Sequence, residues 1–142
     1  MLFSIFFGLC LNKFIGLNFS YLHFVIIAIS SLVPDIDLKK SKIGKLFKPF
    51  SSMINLFFSH RGFFHSLIFM FLCYFILFAF FRDFSNPFLI GFSSHIILDA
   101  LTVEGIRPFY PFKFKVRGFL KTGGIVEIIL SFLLIGLIIF LV

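Results

Sequence analysis

Charge is scarce in this chain. Acidic and basic side chains together make up 13% of its 142 residues, where a soluble globule carries about 25%. Cysteine is limited to Cys10 and Cys73, which sit in different apolar blocks and outside any CxxC or other ligand spacing. Both read as small buried hydrophobes, and soft thiolate ligands are left out of any metal chemistry. No internal repeat or disordered tail is visible, so residues 1–142 read as one domain.

What is abundant is apolar. Hydrophobic residues make up 60% of the chain, 27 of them phenylalanine, and the mean hydropathy is +1.11. A water-soluble fold of this size has too much surface to hide them. The apolar residues run in long blocks, and lipid leaves an unpaired backbone group no partner, so each block is expected to be helical. Five spans follow: Leu2–Phe19, Leu22–Leu38, Phe63–Phe81, Phe84–Leu101 and Gly124–Val142. Each is short against the roughly 20 residues needed to cross about 30 Å of hydrocarbon. The first has no basic region before it and no small-residue cleavage site after it, and reads as a retained helix. The expected fold is an all-α integral membrane protein of about five transmembrane helices plus one interfacial amphipathic helix.

The basic residues set an expected orientation. Lys39, Lys40, Lys42, Lys45, Lys48 and Arg61 fall in one connecting segment, and Arg107, Lys113, Lys115, Arg117 and Lys121 in another. Only Lys13 and Arg82 lie on the opposite side. This bias places both basic segments and the N-terminus in the cytoplasm and the C-terminus outside, in a multi-pass cell-membrane protein. Anionic headgroups then account for the formal charge of +7 without any nucleic acid. Within the first basic segment Ile43, Leu46, Phe47, Phe50, Met53, Ile54 and Phe57 recur at steps of three and four, as in an amphipathic helix lying in the interface.

The residues capable of chemistry gather at the cytoplasmic ends of these spans. Asp35 and Asp37 close the second; His60 and His65 bracket the start of the third; His95 and Asp99 lie near the end of the fourth; Glu127 is about one turn into the fifth. His95 and Asp99, four apart, share one helical face about 6 Å apart along the axis. Pro34 allows a break that lets Asp35 and Asp37 both turn inward. Ionisable groups at such depth persist when paired with one another, with water or with a metal. Imidazole with carboxylate suits a divalent ion, zinc or manganese above all, or iron. Read singly, these residues have plainer roles: helix ends at Asp35 and Asp37, an interfacial His60, a His95–Asp99 clamp between helices, and a cap at Glu127. His23 lies away from the group and reads as structural.

The same residues carry a resemblance. The stretches Leu32-Val33-Pro34-Asp35-Ile36-Asp37, His60-Arg61-Gly62-Phe63-Phe64-His65-Ser66 and Gly91-Phe92-Ser93-Ser94-His95-Ile96-Ile97-Leu98-Asp99-Ala100-Leu101-Thr102 resemble a family classed as inner-membrane-bound metal-dependent hydrolases. One bacterial member of it is described as LexA-binding. The match covers about Ser31–Pro111, and its blocks are specific in combination and weak singly. It implies a multi-span helical protein with a divalent metal held by Asp35, Asp37, His60, His65, His95 and Asp99, and a threonine of the pattern at Thr102. Members commonly carry a Thr-His pair ahead of the first apolar stretch, where this sequence reads Met1-Leu2-Phe3-Ser4.

Together these readings lead to an expected membrane-bound hydrolase of an ester or phosphoester, lipid-linked because the cluster sits near the headgroup plane. Arg61 or Arg107 would pair with a phosphate through its forked donors, and Glu127 or an uncoordinated histidine or aspartate would be the base. Two rivals from other classes are a small transporter or ion-conducting protein and a non-enzymatic regulator that binds a soluble partner. Substrate and oligomeric state are not legible at this level.

Overall fold

A computed structural model describes residues 1–37, 62–121 and 123–142. Helix α1 (Leu2–Ile15) stops at Gly16, whose left-handed φ of 74° lets its N–H reach the Asn12 carbonyl. Helix α2 (Tyr21–Ser30) starts at Ser20, where the Ser20 N–H donates to His23 Nδ1 at 3.0 Å. At its other end the Ser30 and Ser31 hydroxyls donate back to the Ile27 and Ala28 carbonyls, and Pro34 opens a 3-10 turn, Pro34–Asp37. A second 3-10 turn, Phe63–His65, leads into α3 (Leu67–Phe80), whose first turn is capped by Ser66 Oγ accepting from the Phe69 N–H. Phe81 breaks the chain before α4 (Arg82–Leu101), and α5 (Ile125–Leu141) closes the order.

Helix α4 is the centre of the packing, with α1, α2 and α3 all laid against it. Met70, Phe88, Phe92, Ile96 and Ile106 form the buried apolar cluster. Gly91 decides how near α2 comes, since a Cβ there would run into Ser30 Oγ and the Ile27 carbonyl. The two backbones touch, and the end of α2 is thereby fixed against α4.

The expected set of five transmembrane helices is not what the structure contains. Among the described residues no helix is long and apolar enough to cross a membrane. Helices α1, α2, α3 and α5 have 14, 10, 14 and 17 residues. At 1.5 Å per residue they reach about 15–26 Å, short of the hydrocarbon thickness. Helix α4 has 20 residues but includes Arg82, Asp83, Asn86, Pro87, His95 and Asp99. The apolar blocks overstate the helices because their ends go to other structure. Of the block Leu22–Leu38, the part after Ser30 becomes a turn and a 3-10 helix. The orientation drawn from charge bias depended on those spans. The amphipathic segment Ile43–Phe57 lies outside the described residues.

Between α4 and α5 the chain folds back on itself, with no strand among the described residues. Ile106 and Val116 exchange two N–H···O bonds of 2.9 Å, and the Gly118 N–H donates to the Thr102 carbonyl at 2.9 Å. The Leu67 N–H, at the start of α3, donates to the Pro108 carbonyl at 2.9 Å. The loop is therefore tied to α3 and α4 through its backbone. Residues Gly105 and Gly118 allow it, because a Cβ on either would strike a carbonyl, that of Val116 or Leu101.

Candidate metal centre

Two 3-10 turns and the last turns of one helix deliver side chains to one point. Asp35 comes from the 3-10 turn after α2, His65 ends the 3-10 turn before α3, and His95 and Asp99 stand one turn apart near the end of α4. The Gly91 contact brings the first element to the last. Donor atoms of Asp35, His65 and His95 lie within 4.8 Å of one another. Asp99 Oδ2 lies 3.4 Å from His65 Nε2 and 3.6 Å from His95 Nε2. Asp35 Oδ1 lies 3.9 Å from His65 Nε2 and 3.8 Å from His95 Nε2. The imidazole rings are 5.5 Å apart between centroids.

These separations fit a shared cation better than direct bonds. A nitrogen and an oxygen that each sit about 2.1 Å from a tetrahedral ion are about 3.4 Å apart, whereas a hydrogen bond between them would need about 2.8 Å. His65 is fully buried, and His95 Nε2 is buried with no hydrogen-bond partner among the described residues. A nitrogen in that position needs either a proton shared with the carboxylates or a metal. Two imidazoles with one or two carboxylates, and no thiolate, are a donor set for zinc or manganese.

The electrostatics are consistent with both states. Burial alone pulls the His95 pKa down, but contact with Asp99, the charges of Asp35 and Asp99, and a backbone hydrogen bond to Ser31 outweigh it and hold the pKa above its ordinary value. Ser31 thus orients the ring, a role invisible in the sequence because the group used is backbone. At the C-terminal end of α4, the buried Thr102 donates its hydroxyl to the Asp99 carbonyl at 2.7 Å and accepts the Gly105 N–H at 3.2 Å. That pair holds the helix end carrying Asp99 against the following loop.

His60 and Arg61 lie outside the described residues, and of Asp37 only the backbone is described. Arg107 stands half-buried at the base of the loop after α4. Glu127 is exposed in the first turn of α5, where its Oε2 accepts the Gly123 N–H at 2.6 Å, yet it lines a pocket of about 210 Å³ together with Asp99, Thr102 and Lys121. His23 is occupied away from the cluster, bonded to Ser20 and stacked on Phe19. No chemical pattern in the sequence singles out Lys121 or Gly91; for the close helix approach, a glycine inside an apolar block and followed by Ser93 and Ser94 is the available signal.

The model of the YdjM inner membrane protein family matches residues 1–141. The chain belongs to this family. It is 41% identical over 104 residues to the YvsG protein of Bacillus subtilis (strain 168), covering 70% of this chain and 65% of that one. To the inner membrane protein YdjM of Escherichia coli (strain K12) it is 37% identical over 99 residues, covering 63% of this chain and 49% of that one. The same figures hold for YdjM of Shigella flexneri. The chain thus spans about half to two thirds of the length of these curated relatives. No solved structure matches it. A membrane location accords with the surface, where Phe75 and Phe80 of α3 and Phe132 and Phe140 of α5 are all exposed.

Proposed function

We propose that this membrane protein is a metal-dependent hydrolase that cleaves an ester or phosphoester of a lipid or lipid-linked substrate at the membrane surface. The observation that carries the reading is the spacing of Asp35, His65, His95 and Asp99, with nitrogen to oxygen separations of 3.4–3.9 Å, at the end of the central helix. Asp35, His65 and His95 would hold a divalent ion, zinc or manganese, with Asp99 as a fourth donor or as the carboxylate that orients both rings. His60 and Asp37 complete the ligand set that the family resemblance implies. When bound, such an ion polarises the scissile group and acidifies a water molecule.

The remaining steps belong to the chain. Glu127, which lines the same pocket as Asp99, would take a proton from the attacking water. Lys121, which lines the same pocket, would offer a cation to a substrate phosphate, and Arg61 or Arg107 would offer a forked donor. Leu98, Val126 and Leu130 give that pocket an apolar side suited to an acyl chain.

The test is metal content followed by turnover. Protein purified in detergent without chelator and supplemented with zinc or manganese should bind at least one equivalent. The loaded protein should then hydrolyse a chromogenic phosphodiester, a carboxyl ester or a short-chain phospholipid. Failure to take up either metal would overturn the reading. Stoichiometric metal with no hydrolysis of any of the three would leave a structural metal site and remove the enzyme.

A further inference from the structure

The loop after α4 has a surface that the metal centre does not use. From Arg107 to Lys121 it carries five basic residues and no acidic one. Its phenylalanines alternate with the charges and face outward: Phe112 is 72% exposed, Phe114 60% and Phe119 80%. Lys113, Arg117 and Lys121 stand exposed between and beside them. Such rings would ordinarily turn inward, because each exposed aromatic side chain leaves a large apolar area in water. Here the backbone prevents it. The Ile106–Val116 pair, the Gly118 N–H on the Thr102 carbonyl and the Pro108 carbonyl on the Leu67 N–H hold the loop in place. Phe109 and Phe114 pack on each other, centroids 6.3 Å apart, and make one apolar knob.

We propose that this loop is a docking surface for anionic phospholipid, with Phe112, Phe114 and Phe119 set below the headgroups and Lys113, Arg117 and Lys121 paired to the phosphates. Rings that enter the acyl boundary beside cations that stop at the phosphates are the pattern of an interfacial anchor. The charge is of the sign an anionic leaflet attracts, and each such cation near it raises partitioning about five-fold. Membership of an inner membrane protein family supplies the bilayer on which such an anchor would act. The loop also sets a depth: Leu120 and Lys121 line the pocket that contains Asp99 and Glu127, so docking puts the pocket mouth at the phosphate level. The anchor itself does not depend on any hydrolytic activity.

The experiment uses the full chain with Cys10 and Cys73 replaced by serine and a single cysteine at Phe114→Cys or Phe119→Cys. A nitroxide attached there reports collisions with oxygen, which enters lipid, and with a nickel chelate, which stays in water. In vesicles containing phosphatidylglycerol, both sites should favour oxygen at least several-fold over a label at Glu104→Cys. Replacing Lys113, Arg117 and Lys121 together with glutamine should shift both labels toward the nickel chelate, as should high salt. Nickel access at both sites in the phosphatidylglycerol vesicles would overturn the proposal. Equal lipid exposure in pure phosphatidylcholine vesicles, unchanged by the glutamine substitutions, would also overturn it, because the headgroups would then not be recognised. Shielding by a single-stranded oligonucleotide, with the labels water-exposed on vesicles, would assign the surface to nucleic acid instead.

Discussion

His65 Nε2 and Asp99 Oδ2 face each other at 3.4 Å across the junction between a 3-10 turn and the last turn of the central helix. With His95 beside them and Asp35 opposite, the pair forms one edge of a four-cornered donor set. Metal uptake is the direct measure of this arrangement. His95→Ala removes one of the two described imidazole donors, and should lower zinc or manganese affinity at least about 100-fold. Asp99→Asn keeps the shape and an oxygen but loses the charge, and should cost about 10–100-fold, the range for a partner that orients a ligand. Elemental analysis of monodisperse protein in detergent checks both. Full metal content in both variants would take α4 out of the site.

The pH dependence should reverse between the metal-free and metal-loaded protein. The His95 pKa is raised in the fold. Without metal, the protonated ring between two carboxylates contributes stability that is fully present below the unfolded value of about 6.5 and is lost as pH rises through the folded pKa. A bound metal requires the neutral ring, so affinity should fall as pH falls through that same folded pKa. The gain in unfolding temperature on adding zinc should therefore grow with pH. Thermal unfolding in detergent between about pH 5.5 and 8.5 checks the sign, and a gain that shrinks with pH would contradict it.

The donor set was legible in the sequence because each member stands at the end of an apolar block, where hydropathy drops and the motif residues cluster. Asp35, His65, His95 and Asp99 lie together, but the cause differs from the expected one. Equal depth in four spans was to bring the residues together; two 3-10 turns and one close helix contact join Asp35, His65, His95 and Asp99 instead. Helix length was not legible, since a hydropathy pattern does not register Ser30 and Ser31 turning their hydroxyls onto the helix that ends there. The Ser31 contact to His95 and the place of Lys121 on the pocket wall depend on backbone geometry that no side-chain pattern encodes.

Gly91 offers a test of how Asp35 reaches the site. Alanine normally favours a helix over glycine by about 1 kcal/mol. At this position the added methyl would meet Ser30 Oγ and the Ile27 carbonyl, so α2 must move away from α4. Gly91→Ala should therefore lower stability by about 1–3 kcal/mol in spite of its propensity. Metal affinity should fall with it, because Asp35 follows α2. Unchanged affinity in a destabilised variant would mean that the turn at Pro34 absorbs the shift.

Glu127 has two roles that can be separated. Its Oε2 accepts the Gly123 N–H at the start of α5, and the same side chain lines the pocket that holds Asp99. Glutamine keeps an oxygen acceptor for Gly123 but cannot take a proton from water at neutral pH. Glu127→Gln should therefore leave metal content and unfolding temperature close to those of the unaltered protein while hydrolysis falls about 10²–10⁴-fold, the usual contribution of a general base. Glu127→Ala should lose the same activity and, in addition, about 1 kcal/mol of stability from the missing bond at the helix start. Measuring turnover, metal content and unfolding on both variants distinguishes the cases. Full activity in the glutamine variant, with a stability loss confined to alanine, would make Glu127 a helix-end residue only and move the search for the base to the histidines and aspartates of the cluster.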